Sequence, residues 1–301
     1  MFAFENLTIL NTKHQVTFMK NYFEEKSTLK TFLGMLALMS ATSILSTQCT
    51  SKDENTGGDY STSQAKIKID SSTTDDSNKR VIYLTFDDGP NKGTENLLKI
   101  LNKRKVYATA FLIGVHARAS LQQKIDFEAL KKDTLVEFAN HSYSHAHNKF
   151  LQFYRNPSVV VKDFDRAMDS LKLTNKIART PGRNIWRLNN ITKTDIKSSD
   201  NAANSLQKAG YKVIGWDLEW MHSKKMGLNG NHQDMIKKVD SFFNNNLTKT
   251  PQHLVLLTHD QYLTDQDSVR ELDLFIEELQ KTNRFVFRKI SSYPKINEVY
   301  N

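Results

Sequence analysis

From Val81 the chain runs through VIYLTF, all apolar or β-branched, and then sets two carboxylates side by side, Asp87 and Asp88, before Gly89-Pro90. A run that is continuously apolar rather than alternating suits a parallel strand covered on both faces. Like charges at its end cost stability unless something uses them. An extended chain turns consecutive side chains to opposite faces, so the two carboxylates cannot point the same way. The same kind of run recurs along the chain, near Val106–Ile113, Thr134–Phe138, Ile177–Arg179, Tyr211–Trp216, His253–Thr258 and Arg284–Phe287. Helical periodicity fills the gaps, near Thr94–Lys103, Pro157–Leu171, Asn201–Lys208, Gln233–Phe243 and Ser268–Lys281. Pro157 suits a first helical turn and Gly210 a helix stop. This alternation predicts an α/β fold with a parallel sheet covered by helices. Seven strand segments are too many for a small doubly wound sheet and one short of an eight-stranded barrel, which suggests barrel-like closure.

The polar residues sort onto this map. Asp87 and Asp88 follow the first strand, His141 and His145 the third, Arg179 ends the fourth, Asp217 follows the fifth and His259 the sixth. All stand at the C-terminal ends of strands, the face on which parallel α/β barrels build active sites. His141 and His145 are spaced i, i+4, so one helical turn would bring both imidazoles to one side. With one carboxylate from elsewhere they make a two-His, one-carboxylate set that leaves positions for water or substrate. One acid of the pair can ligate while its neighbour stays free to take a proton.

The first 78 residues read differently. Lys20, Lys26 and Lys30 precede a charge-free segment, Thr31 to Cys49, whose apolar part runs from Phe32 to Leu45. That is short for a membrane span and suits the apolar region of a secretory signal. Cys49, the single cysteine, resembles the lipidated cysteine of a bacterial lipoprotein, although Gln48 stands where a small residue is usual. A plain signal peptide with an incidental cysteine is the alternative. One cysteine allows no intrachain disulfide. Residues 50–78 lack the apolar content to fold and read as a tether, and Met19 reads as the initiator. The expected division is residues 1–49 extension and signal, 50–78 linker and 79–301 catalytic domain. Lys+Arg exceed Asp+Glu, 42 to 33. No basic run with interleaved aromatics accompanies that excess, so a nucleic-acid partner is not expected, and no obligate protein partner is evident.

TFDDGP at Thr85–Pro90, HSYSH at His141–His145, RTPG at Arg179–Gly182 and LLTH at Leu256–His259 resemble, in order, the motifs of the NodB-homology polysaccharide deacetylases, carbohydrate esterase family 4. The resemblance spans about Arg80 to Lys289. It implies a distorted seven-stranded (β/α) barrel acting on an acetylated glycan in the bacterial envelope or outside the cell. It implies that Asp88, His141 and His145 hold one divalent ion, zinc first, with cobalt or another transition metal as the alternative. By the same resemblance Asp87 is the general base on the hydrolytic water and Arg179 orients it. His259 is the general acid, Leu256 lines the pocket for the acetyl methyl, and the N–H of Gly182 helps hold the oxyanion.

The match is looser at GWDLEWMH. A carboxylate that tunes the acid histidine can be aligned through Asp217 or through Glu219-Trp220, and Asp217 is favoured because it leaves the strand first and is shorter. Gly182 stands where an aromatic residue is common, which would widen the groove. Trp186 and Trp220 are candidates for stacking on sugar rings, with buried loop anchors as the alternative. His116, His147, His222 and His253 read as surface or core histidines.

Overall fold

The computed structural model describes residues 78–188 and 190–298. The expected signal, Cys49 and the tether up to residue 77 lie outside them. Ten strands form one sheet: β1 (Arg80–Gly89), β2 (Ala108–Leu112), β3 (Val136–Asn140), β4 (Ile177–Ala178), β5 (Trp186–Leu188), β6 (Ile191–Lys193), β7 (Lys212–Val213), β8 (Leu218–Glu219), β9 (His253–His259) and β10 (Phe285–Phe287). Their order is β6-β5-β7-β4-β3-β2-β1-β9-β8, with β10 beside the start of β1. Each of the seven expected segments carries a strand, and the ladders among them are parallel. The antiparallel hairpin β5–β6 and the short strand β8 are additional.

The expected distorted barrel of seven strands is, among the described residues, a ten-stranded sheet whose strand order runs from β6 to β8, and one stretch of chain leads from β7 across to β8. Ile214 N still bonds Ala178 O (2.9 Å), whereas Asp217 N already bonds Val255 O (2.9 Å). Between them Trp216 has no neighbouring strand. The Asn184 side chain takes its place, accepting from Trp216 N (3.1 Å) and donating to Trp216 O (2.9 Å). This satisfies main-chain groups that closure would otherwise leave bare.

Among the described residues seven α-helices cover the sheet: α1 (Thr94–Arg104), α2 (Leu121–Lys132), α3 (Phe150–Tyr154), α4 (Pro157–Leu171), α5 (Asp200–Lys208), α6 (His232–Asn244) and α7 (Gln266–Lys281). Pro157 opens α4, and Asn231 and Asp265 cap α6 and α7 through side-chain oxygens, as helix starts require. None of the described helices is long and apolar enough to cross a membrane.

Strand alternation divides the core. Ile82, Leu84 and Phe86 of β1 and Leu254 and Leu256 of β9 face outward, into a cluster with Leu97, Leu101, Phe275 and Ile276. Val81, Tyr83 and Val255 face inward, with Trp186, Ile290 and Tyr293. Burying such side chains is worth about 1.5–3 kcal/mol each. The inward face of β1 continues to Thr85 and Asp87, so the apolar plug fills one end of the enclosed space and polar chemistry the other.

Candidate active site

Asp87 lies on the inward face, 3% exposed, opposite His259 in the β1–β9 register. Its Oδ1 accepts from Arg179 Nη1 at 2.9 Å. Arg179 is wholly buried; it also donates to Thr85 Oγ1 (2.8 Å), Ile214 O (3.2 Å) and Gly215 O (2.8 Å), and its guanidinium lies 4.1 Å from the centre of the Phe111 ring. A buried carboxylate needs such a partner, since an unpaired charge there is costly.

Asp88 is turned away from Asp87 by a register shift at the end of β1 and a backbone φ of 70°. His116 Nδ1 donates to its carbonyl (2.8 Å). The Asp88 Oδ1 stands 3.4 Å from His141 Nε2 and 3.2 Å from His145 Nε2, and Oδ2 is 3.8 Å from His259 Nε2. Burial pushes the Asp88 carboxyl up, but the surrounding imidazoles of His141, His145 and His259 outweigh it and hold it well below the usual range. Burial likewise works to lower His141, while the carboxylates of Asp87 and Asp88 win and raise it; His145, facing His141, is lowered by burial and by that neighbour.

The two histidines converge without a helical turn between them, a correction to the expectation drawn from their spacing. Ser142 has φ 65°, and His145 through Asn148 all lie in the left-handed region. Hydrogen bonds substitute for the helix: Asn140 Oδ1 accepts from Ser142 N, Ser142 Oγ from His145 N, and Asp163 Oδ2 from Tyr143 N and Ser144 N. His141 Nδ1 donates to Arg179 O (2.9 Å), and His145 Nδ1 faces Asn148 Oδ1 (3.2 Å). Both rings therefore turn Nε2 lone pairs toward Asp88, the arrangement by which an outer hydrogen bond fixes a ligating histidine. Asp88 Oδ1 is buried with no hydrogen-bond partner. Two lone pairs and a bare carboxylate oxygen, all within 4.8 Å of one another, fit a divalent cation.

Other expected site residues fall elsewhere. Asp217 does not reach His259: its oxygens accept from Lys249 N (2.8 Å) and Val255 N (2.9 Å), lower on β9. Burial pushes its carboxyl up to about 6, against those two bonds. Glu219, level with Leu257, is raised by burial and by the charge of Asp87, against the opposing influence of His259 and Arg179. The carboxylate on the site side is Glu219. Trp220 is 1% exposed, donates to Asn229 O (3.0 Å) and packs edge-on against Phe275; Trp186 is wholly buried and donates to Asn184 Oδ1 (3.0 Å). Both are core anchors, not sugar platforms. Leu256 belongs to the outer cluster, so it cannot line the site. Leu257, 2% exposed, outside all three apolar clusters and on the face of His259, is the residue that can. Counting back by two from His259 would have found it.

Gly182 sits exposed at the end of RTPG with φ 62°, over Phe150, whose ring meets His145 edge-on at 5.4 Å. His259 leans on Tyr262 (centroids 4.8 Å), and its buried Nδ1 has no partner. Asp260, next in the chain, is 2% exposed. Burial pushes it up to about 7; hydrogen bonds from Thr94 and Asn91 oppose this and Asp88 adds to it. Its sequence signal, an acid directly after His259, passed unread.

A family model described as polysaccharide deacetylase matches residues 74–214, a stretch that includes Asp87, Asp88, His141, His145 and Arg179. The chain is 26% identical over 203 residues to the chitin disaccharide deacetylase of Vibrio alginolyticus, covering 47% of this chain and 48% of the relative. It is 29% identical over 155 residues to the peptidoglycan-N-acetylglucosamine deacetylase of Bacillus cereus, covering 48% and 50%. The chain spans about half the length of these curated relatives. A family 4 carbohydrate esterase structure from Streptomyces lividans superposes with a TM-score of 0.51 at 20% identity, over 71% of this chain and 95% of that one; at that identity the likeness is one of fold. Motif order, family model and relatives agree in supporting the NodB-homology polysaccharide deacetylases, carbohydrate esterase family 4, as the family this chain resembles.

Proposed function

We propose that the protein is a metal-dependent hydrolase that removes N-acetyl groups from an amino-sugar polysaccharide. The observation that carries this reading is the convergence of Asp88, His141 and His145 beside an acid held by Arg179, Asp87, and a histidine, His259. A divalent ion there, zinc first, supplies Lewis acidity that polarises the acetyl carbonyl and acidifies water. Asp87 takes the proton from the attacking water, and Arg179 keeps that carboxylate aimed. The Gly182 N–H stabilises negative charge on the former carbonyl oxygen. His259 gives a proton to the departing nitrogen, because an amide anion leaves too poorly without one. Glu219, paired with Leu257 on the same face, is the carboxylate on the side of that acid. Leu257 packs against the acetyl methyl.

The names of the Vibrio and Bacillus relatives share an N-acetylated sugar as substrate, which supports amide over ester cleavage here. The same groups would serve de-O-acetylation, and a silent glycan-binding module is disfavoured by the intact Asp87 and His259. An acetate-release assay on chitooligosaccharides, peptidoglycan, poly-N-acetylglucosamine and acetylated xylan tests the reading. Release from amino sugars supports it, and release confined to xylan would replace it with the esterase. Export to the envelope, with a lipid on Cys49, completes the proposal; Cys49→Ser would then move the protein from the membrane to the soluble fraction.

A further inference from the structure

Asp260 is a buried carboxylate to which the reaction above gives no task. Its Oδ2 accepts from Thr94 Oγ1 (2.5 Å) and from Asn91 N (3.1 Å), and Asn91 N also reaches Thr94 Oγ1 (2.8 Å). The β1–α1 loop is thereby laced to the end of β9. The fit is close: a Cβ on Gly89 would stand 3.1 Å from Asp260 Oδ2, and one on Gly93 would stand 1.8 Å from the Asp260 carbonyl oxygen. Gly93 is there because nothing larger fits. Asp260 Oδ1 is buried with no partner, a loss worth about 1–3 kcal/mol that a purely structural tie has no reason to carry.

The cost sits next to a strained residue. Asp88 has φ 70°, where a side chain is disfavoured by roughly 1–2 kcal/mol. Such a conformation persists only where its surroundings over-determine it. His116 holds the Asp88 carbonyl from one side. Gly89 to Asn91, directly after it, are held from the other by Asp260. If the loop relaxed to negative φ, the Asp88 carboxylate would swing off the line joining His141 and His145.

We propose that Asp260 is a positioning residue: it clamps Gly89–Asn91 to the end of β9 and so fixes the left-handed turn that presents the Asp88 carboxylate to His141 and His145. The same clamp holds the end of β1 against the end of β9, where Asp87 pairs with His259, the residue before Asp260. This inference rests on the proposed metal role of Asp88 and is tested through binding as well as turnover.

The experiment compares Asp260→Ala, Asp260→Asn and Thr94→Val in the full-length chain, by Zn²⁺ titration after chelator treatment and by separate kcat and KM. Loss of an outer residue that orients ligands typically costs 10–100-fold in metal affinity. Asp260→Ala should weaken Zn²⁺ binding by about that factor and lower kcat more than it raises KM. Asp260→Asn keeps an accepting oxygen and the volume, and should return affinity to within about threefold of wild type, a small residual on the same scale. Thr94→Val removes one bond of the clamp and should fall between. Wild-type Zn²⁺ affinity in a folded Asp260→Ala, or an Asp260→Asn as weak as the alanine variant, would overturn the proposal. If Asp260→Ala does not fold, unchanged affinity in Thr94→Val overturns it. Affinities that move as expected, in a wild type that deacetylates nothing, would sink the functional reading and leave the clamp standing.

Discussion

Asp87 and Asp88 are identical side chains one residue apart, yet one meets a guanidinium and the other three imidazoles. The pleat and the left-handed turn at Asp88 divide them, and chemistry follows from the division. Asp87→Asn should leave metal binding intact and lower kcat by about 10²–10⁴-fold, since only the proton acceptor is lost; near-wild-type turnover would hand that task to another group, Glu219 first. Removing the Glu219 charge with Glu219→Gln should lower kcat on an N-acetyl substrate, while Asp217→Asn should leave it little changed; a loss confined to Asp217→Asn reverses the assignment. Asp217 instead bears on stability. Its native value of about 6 stands above the ordinary 3.8, so the folded state binds that proton more tightly. The stability it contributes is complete below the ordinary value and lost as pH rises through about 6. Denaturant unfolding of wild type and Asp217→Asn should therefore diverge between about pH 4 and 7, the variant gaining up to roughly 3 kcal/mol relative to wild type. A constant difference across that range would show that Asp217 does not titrate there.

At the scale of elements, β9 separates packing from catalysis residue by residue. Leu256 faces the helices and Leu257 the pocket. Leu256→Ala should cost about 2–5 kcal/mol in unfolding free energy with kcat/KM of the folded fraction little changed. Leu257→Ala should chiefly raise KM for acetylated substrate. The reverse pattern in paired unfolding and kinetic measurements would mean that the strand is misaligned by one. Helix α2 was not legible as a stripe because Leu121 and Ile125 point to solvent, 75% and 53% exposed, although Ser120 capping Gln123 N was a readable start signal. The turn at His141–His145 misled for a different reason. A spacing of four fits a helix, but Ser142 and Asp163 supply an alternative set of hydrogen bonds that the spacing does not disclose.

For the whole molecule, the bridge from β7 to β8 matters most, because the site needs Arg179 on one side of the gap and His259 on the other. Gly215 and Trp216 join the two, with Arg179 bonding Gly215 O and Asn184 bonding Trp216. An ion shared by ligands from β1 and from the loop after β3 should stabilise that assembly. Chelator should abolish turnover and lower Tm, and Zn²⁺ at about 100 times Kd should restore both, adding about 2.7 kcal/mol. A chelated protein with unaltered Tm and full activity would rule out a resident ion.

The chain by itself determined the order of seven of the strands and five of the helices among the described residues, the parallel sheet, and the placement of polar residues at strand ends. Continuous apolar runs, helical periodicity and polar residues following strands are local patterns, and local patterns survive without neighbours. The position of Asp87, Asp88, His141, His145, Arg179 and His259 at or after strand ends was legible that way. Only the tertiary structure decided between Asp217 and Glu219, between Leu256 and Leu257, and between platform and anchor for Trp186 and Trp220. Each of those depends on which way a side chain faces after a turn. It also added β5, β6 and β8 to the sheet and drew Asp260 to the loop of Asp88, a contact between residues 166 or more positions apart. Register across β1 and β9 fixes such pairs, and register is a property of two strands that neither strand's sequence carries alone.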